Sequence, residues 1–325
     1  MIKTIAGLVF SLGGLYVAFR KIDIGSLGQV LSNVRGLWLL LAALLMVFSV
    51  WLRAVRWQIL MAPIRKTGVA SLFTATMIGY FGNAVLPLRL GEFLRAHAIH
   101  KRVESITVAS AFGTIVVERL LDLMGAMVLT IVFFLLYDVP SWLEKSGIAL
   151  GVVVIGSSSF LWWMTRSHER WLEKLENLAF LRSGIGTRVQ RFLHSFVKGL
   201  IALRDADRLG ALTLHTGLLW LIYWLTTQMS AYALRLSLTW IEVGVLLVAT
   251  TMVISLPSAP GFIGTYHAAA VLMMTEIFGK SQTVSQAYAL LNHAVGFVPL
   301  VTIGFIFMVR SSMRLKEIKR LELEE

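Results

Sequence analysis

The sequence predicts an all-α polytopic membrane protein of about six full spans and two re-entrant helical hairpins, arranged as an inverted repeat. Three observations lead there. The 325 residues are 57% hydrophobic and only 15% charged, against roughly 25% charged in soluble domains, and mean hydropathy is +0.76. Six apolar segments approach or exceed the roughly 20 residues that cross a bilayer. Two more apolar stretches are broken by Gly and Pro at matching positions in two halves of the chain. Disorder is excluded, since disordered chains are poor in apolar residues.

The six spans are expected at Ile2–Phe19, Leu37–Met61, Ile106–Tyr137, Gly147–Met164, Leu209–Leu234 and Gln286–Val309. The first could be a secretory signal. It ends instead at Phe19-Arg20-Lys21-Ile22-Asp23 with no small-x-small cleavage pattern, so it reads as a retained helix.

The net charge of +12 does not point to nucleic acid. The basic residues flank apolar spans, where they meet anionic headgroups. Nine Lys/Arg lie between Thr165 and Arg208, and five more in the tail from Arg310. The loop 138–146 carries only Lys145, and 235–242 only Arg235. Positive-inside asymmetry therefore expects a multi-pass protein of the cell membrane with both termini cytoplasmic, although Arg20, Lys21 and Arg35 then fall outside. Helical spacing in 165–208, as in Trp171-Leu172-x-x-Leu175-x-x-Leu178, suggests amphipathic helices on the inner surface or a solvated hairpin. There is no Cys, hence no disulfide, thiolate metal site or cysteine nucleophile.

The first interrupted stretch is Val69–Val103, broken at Gly79-Tyr80-Phe81-Gly82-Asn83-Ala84-Val85-Leu86-Pro87. The second is Val243–Phe278, broken at Pro257-Ser258-Ala259-Pro260-Gly261-Phe262-Ile263-Gly264. Gly and Pro stop helices, and each arm is short for a crossing. Arg65 and Lys66 precede the first stretch, and Arg95, Lys101 and Arg102 close it, so it enters and returns on the cytoplasmic side. The second must return to the outside. Residues 1–138 then form one repeat and 139–310 its inverted counterpart, with 311–325 a charged cytoplasmic tail. Paired broken segments of this kind mark transport sites near the midplane; ordinary kinked helices are the alternative. The second arms, from near Leu88 and near Thr265, would turn helix N-termini toward an anion.

Ionisable residues at membrane depth are costly and suggest function. Arg89, Glu92 and Arg95 follow the first break, with Glu92 and Arg95 spaced to pair on one face. Glu118, Arg119 and Asp122 fall about 20 Å into the third span at 1.5 Å per residue. Both groups are candidate contacts for an anionic headgroup, since the planar Arg fork matches phosphate. A packing ion pair is the alternative, above all for Arg119 beside two carboxylates. Arg53 and Arg56 are expected to snorkel to the interface beside Trp51 and Trp57. Asn83 and His267 are further binding candidates, with His293 and Asn292 behind them. His97 and His100 lack a third ligand, so no metal site is expected. No nucleotide loop, zinc-protease helix or nucleophile elbow occurs, and no cofactor or catalytic residue is assigned.

Four motifs in order carry a family resemblance: Leu52-Arg53-Ala54-Val55-Arg56-Trp57, Gly82-Asn83-Ala84-Val85-Leu86-Pro87-Leu88-Arg89-Leu90-Gly91-Glu92-Phe93-Leu94-Arg95, Glu118-Arg119-Leu120-Leu121-Asp122 and Leu256-Pro257-Ser258-Ala259-Pro260-Gly261-Phe262-Ile263-Gly264. Over almost all of 1–310 the chain resembles the flippase-like family that forms the transmembrane half of lysylphosphatidylglycerol synthases. The resemblance implies movement of an anionic phospholipid or a polyprenyl phosphate lipid between leaflets. Many members carry Glu where this chain has His267. The soluble aminoacyl-transferring domain is not seen before Glu325, so lysine transfer is not expected. A membrane-embedded transferase using Glu92, Glu118 or Asp122 as general base, and a non-catalytic scaffold, are the competing readings.

Overall fold

A computed structural model describes residues 2–20, 22–166, 192, 194–196, 200, 206–255 and 259–311. The amphipathic segments expected within 165–208 and the Leu256-Pro257-Ser258 start of the second break lie outside these residues. Among the described residues every regular element is helical: α1 (Ile2–Phe19), α2 (Ile24–Ser32), α3 (Gly36–Met61), α4 (Val69–Val85), α5 (Gly91–Arg102), α6 (Val108–Leu136), α7 (Ser141–Arg166), α8 (Ala206–Ala233), α9 (Trp240–Ile254), α10 (Thr265–Leu272) and α11 (Gln282–Arg310).

Of the described helices, five are long and apolar enough to cross a membrane, within α3, α6, α7, α8 and α11. They match five of the six expected spans, and the 18-residue α1 occupies the place of the sixth. The outward faces carry Leu40, Leu44, Val128, Leu135, Val152 and Phe160 in the open. Such a continuous apolar surface suits lipid and would be an aggregation liability in water. Exposed Trp142 stands at one end of α7 and exposed Trp162 and Trp163 at the other. At 1.5 Å per residue they are about 30 Å apart, the thickness of the hydrocarbon core.

The first break begins later than expected. Gly79 and Gly82 do not stop α4, which runs on to Val85. They are contact points. A Cβ on Gly79 would lie 2.9 Å from the Arg95 Cβ, and one on Gly82 would lie 2.8 Å from the Gly91 Cα. Their bare backbones let α5 fold back against α4. The chain reverses at Leu86, which is extended (φ −95°, ψ 142°), as a residue before proline must be. A single 3₁₀ turn, Pro87–Arg89, follows. Arg89 ends it at φ 59°, a left-handed conformation uncommon for a non-glycine residue.

The second break follows α9. Ala259 leads into a 3₁₀ turn at Pro260–Phe262, and Gly261 (φ 68°), Phe262 (φ 58°) and Gly264 (φ 97°) all take positive φ. Gly264 packs on α1 so closely that a Cβ there would meet the Ser11 carbonyl oxygen at 1.9 Å. The Ser11 hydroxyl accepts from the Ala259 amide at 2.8 Å, which satisfies one backbone group freed by the break. After α10 the chain passes through a π-helical turn, Met273–Ile277.

The two reversals meet. The Pro87–Arg89 turn contacts the Pro260–Phe262 turn, and α4 packs on the latter. Around them α3 lies along α8, and α11 lies along α4. One apolar core joins α3, α4, α5 and α6 through Trp57, Leu60, Leu72, Ile78 and Ile99. A second joins α6, α8, α9 and α11 through Phe133, Leu246, Val248 and Tyr288.

Candidate functional site

A ring of charge lies where α3, α5, α6 and α8 converge, part-way along the apolar helices. Glu118 and Asp122 are one turn apart on α6 and share a face. Arg53 on α3 reaches both: its Nη1 donates to Glu118 Oε1 at 2.6 Å and to Asp122 Oδ2 at 2.8 Å. Its Nη2 donates to the Tyr223 hydroxyl of α8 at 2.9 Å. One turn on, Arg56 donates to Asp122 Oδ1 at 2.6 Å and to Thr216 Oγ1 of α8 at 2.9 Å.

From α5, Arg95 holds Glu118 with both terminal nitrogens, at 2.8 and 2.9 Å. Its guanidinium lies 3.8 Å from the Trp57 ring centroid, and the Trp57 indole N–H donates to Thr114 at 2.8 Å. Planar charge thus stacks on an aromatic face whose polar edge is itself satisfied.

The expected snorkelling of Arg53 and Arg56 is therefore incorrect. Both are buried, 4% and 0% exposed, because α6 offers two carboxylates at matching spacing, and a buried charge needs a partner. The expected Glu92–Arg95 pair is also absent. Arg95 turns to Glu118, and Glu92 pairs with Arg119 at 2.5 Å. The expected contact of Arg119 with Asp122 is present at 3.4 Å.

Exposure divides the network. Arg53, Arg56, Arg95 and Glu118 are 4% exposed or less, whereas Glu92 is 14%, Asp122 17% and Arg119 36% exposed. The first set is a sealed core; the second borders open space. Arg89 sits on that open side. Its Nη2 donates to the Ile254 carbonyl at the end of α9, its guanidinium lies 5.1 Å from the Phe262 ring centroid, and it is within electrostatic range of Arg119 and Glu92. Counted together, five guanidinium groups (Arg53, Arg56, Arg89, Arg95, Arg119) face three carboxylates (Glu92, Glu118, Asp122), leaving an excess of two positive charges.

Asn83 lies against Gly91 where α4 and α5 meet, with its Oδ1 buried and unpartnered. His267 is not part of the arginine network. It is buried behind the second break, where its Nδ1 accepts from the Gly264 amide at 3.4 Å and its ring packs 4.7 Å from that of His293. His293 donates to the Gly261 carbonyl at 2.9 Å, and Asn292 to the Tyr266 hydroxyl. Among the described residues, no group of three His, Cys, Asp or Glu side chains is placed to hold a metal ion. A pocket of about 590 Å³ opens away from the ring, between the end of α3 and the start of α4, beside Gln58, Lys66, Thr67 and Arg208.

Sequence reasoning missed Tyr223 and Thr216, which stand in α8 among other polar residues (His215, Thr226, Thr227, Gln228) with no motif to single them out. The role of Arg53 and Arg56 had a signal: a basic pair three apart in one helix answers an acidic pair four apart in another.

The family described as the lysylphosphatidylglycerol synthase transmembrane region matches residues 4–304. A UPF0104 membrane protein of Methanocaldococcus jannaschii is 23% identical over 321 residues, 93% of each chain. The glycosyltransferase AglD of Haloferax volcanii is 29% identical over 124 residues, 38% of this chain and 20% of that protein.

Proposed function

The chain belongs to the lysylphosphatidylglycerol synthase transmembrane-region family, and from that membership and the buried charge we propose that it carries a lipid with an anionic headgroup between leaflets. The observation that supports this most directly is the excess of two guanidinium groups over carboxylates in the network as a whole, with Arg89 and Arg119 on its open side. An arginine more than a third exposed on α6 has no place against lipid tails. It belongs in a groove that holds water or a headgroup.

In this reading α4–α5 dips into the bilayer from the cytoplasm and α9–α10 from the outside, within two inverted halves and with both termini cytoplasmic. Their reversals meet in the interior, so that backbone freed by each break lines the groove and not the lipid. A phosphate there gains planar donor forks from Arg89 and Arg119, with Asn83 at the rim, while its acyl or polyprenyl chains stay outside. Arg53, Arg56, Arg95, Glu118 and Asp122 form the rigid wall. His267 lies beside the outer reversal and would contact a headgroup only on its way out.

The test is reconstitution of the purified protein into vesicles whose inner leaflet carries a labelled anionic lipid, followed by an impermeant quencher. Exposure of the inner pool beyond that of empty vesicles is expected. Equality with empty vesicles, across anionic phospholipids and polyprenyl phosphates, would remove the proposal.

The partial match to a protein named as a glycosyltransferase favours a second reading, a transferase on a lipid-linked substrate. There Glu92 or Asp122, the less buried of the carboxylates, would act as general base. Product from a labelled donor, lost on Glu92→Gln or Asp122→Asn, would replace transport by transfer.

A further inference from the structure

We infer that Glu92 is a resident counter-anion: it occupies the phosphate position on Arg119 when no ligand is bound, and an incoming phosphate displaces it. The inference rests on the headgroup reading above and deepens it by naming which ion pair opens.

The pairs of the ring differ in how firmly they are held. Glu118 receives both terminal nitrogens of Arg95 and one of Arg53, and it is fully buried. Asp122 is held by Arg53 and Arg56. Removing either anion would leave two buried guanidinium groups short of one negative charge. Glu92 has one partner, Arg119, through one nitrogen. It sits in the first turn of α5, immediately after the break, where its chain is least constrained by neighbouring turns. Arg119 keeps a second, longer contact to Asp122 at 3.4 Å, so it remains anchored when Glu92 leaves. Its Nε–H is buried with no acceptor in the resident state.

The charge balance favours the exchange. With Glu92 in place, Arg89 has no carboxylate within bonding reach and leans on the Ile254 carbonyl and the Phe262 ring. A phosphate offers at least two unesterified oxygens where Glu92 makes one contact, and it can bridge Arg89 and Arg119 together. The freed Glu92 carboxylate then lies beside the N-terminus of α5, where a negative charge is favoured by the helix dipole. The incoming phosphate offsets part of the network's excess of two positive charges, which lowers the cost of receiving a charged headgroup at membrane depth.

The experiment uses full-length protein in a neutral detergent, titrated with two probes: dihexanoyl phosphatidylglycerol below its micelle concentration, and inorganic phosphate. Glu92→Gln removes the competing charge and is expected to tighten binding by about five- to tenfold, the scale of one charge-assisted contact, whereas Arg119→Gln weakens it at least as much. Tightening for both probes identifies a general phosphate site, and tightening for the lipid alone a site that also needs the acyl chains; either supports the exchange. Glu92→Asp keeps the charge but withdraws it by one methylene, and should fall between wild type and Glu92→Gln; it serves as the comparison if Glu92→Gln does not fold. Binding unchanged or weakened in both Glu92 variants, with Arg119→Gln still defective, overturns the exchange and leaves the headgroup reading standing. Absence of saturable binding by wild type and variants alike overturns both.

Discussion

Arg95 grips Glu118 with two parallel hydrogen bonds, 2.8 and 2.9 Å, from a guanidinium that rests on the Trp57 ring. The pair is bidentate, and its carboxylate also meets Arg53. Glu118→Gln keeps shape and volume but leaves two buried cations short of one negative charge. Breaking a buried pair from one side typically costs about 3–5 kcal/mol. A large drop in the thermal unfolding midpoint of the detergent-solubilised protein is expected. A midpoint like wild type would mean that the ring contributes little to the fold.

Arg53 touches three partners on two helices with two nitrogens. A lysine ammonium is a point charge with a shorter reach and cannot present that fork. Arg53→Lys should therefore fail to restore stability, falling about 1–3 kcal/mol below wild type as hydrogen bonds to charged groups are lost. Tyr223→Phe removes only one neutral partner and should cost about 1 kcal/mol. The order of the two unfolding midpoints is the measurement; a lysine variant more stable than Tyr223→Phe would contradict the three-way junction.

Gly91 lets α4 and α5 touch. A Cβ there would stand 2.2 Å from the Gly79 carbonyl oxygen and 2.4 Å from the Asn83 amide nitrogen, and backbone atoms cannot rotate aside. Gly91→Ala must separate the two arms, shifting Arg95 away from Glu118. Gly151 on α7 has nothing within 4 Å of its would-be Cβ. Alanine at that position should be tolerated, or even stabilise the helix by up to about 1 kcal/mol. Expression and monodispersity of the two variants, side by side, separate a packing requirement from a general sensitivity to substitution.

These outcomes show where sequence reading reached and where it stopped. Helix positions were legible because lipid demands unbroken apolar runs: the span expected at Leu37–Met61 is found at Gly36–Met61. The charged positions of α5 and α6 were legible because ionisable residues stand out in such runs. Partner choice was not. Periodicity places Arg53 and Arg56 on a helix but does not say which neighbour that face meets, so their burial against α6 needed the tertiary structure. Gly79 and Gly82 raised the same difficulty. A glycine that ends a helix and a glycine that admits another helix look alike in one sequence. The start of α7 at Ser141, ahead of the expected Gly147, shows the converse limit, since Glu144, Lys145 and Ser146 interrupt the apolar run there.

The two reversals offer the sharpest test of topology. Because the chain has no cysteine, any single substitution creates a unique thiol. Ala84→Cys would place it at the end of α4, and Ala259→Cys at the start of the Pro260–Phe262 turn. Asp138→Cys and Arg65→Cys, in the exposed α6–α7 and α3–α4 loops, are the references for the two aqueous sides. In sealed vesicles of known orientation, an impermeant maleimide should reach the Asp138 position only from outside and the Arg65 position only from inside. The Ala84 and Ala259 positions should react more slowly than either reference, because the two reversals pack against each other and, in the proposed topology, away from both membrane surfaces. Added phosphatidylglycerol should slow labelling at Ala84 further if the proposed headgroup groove runs past the adjoining Asn83. Labelling at Ala84 as fast as at Arg65, or at Ala259 as fast as at Asp138, would place that reversal at the membrane surface. The groove would then lose one wall, and Arg89 and Arg119 would have no enclosed space in which to meet a headgroup.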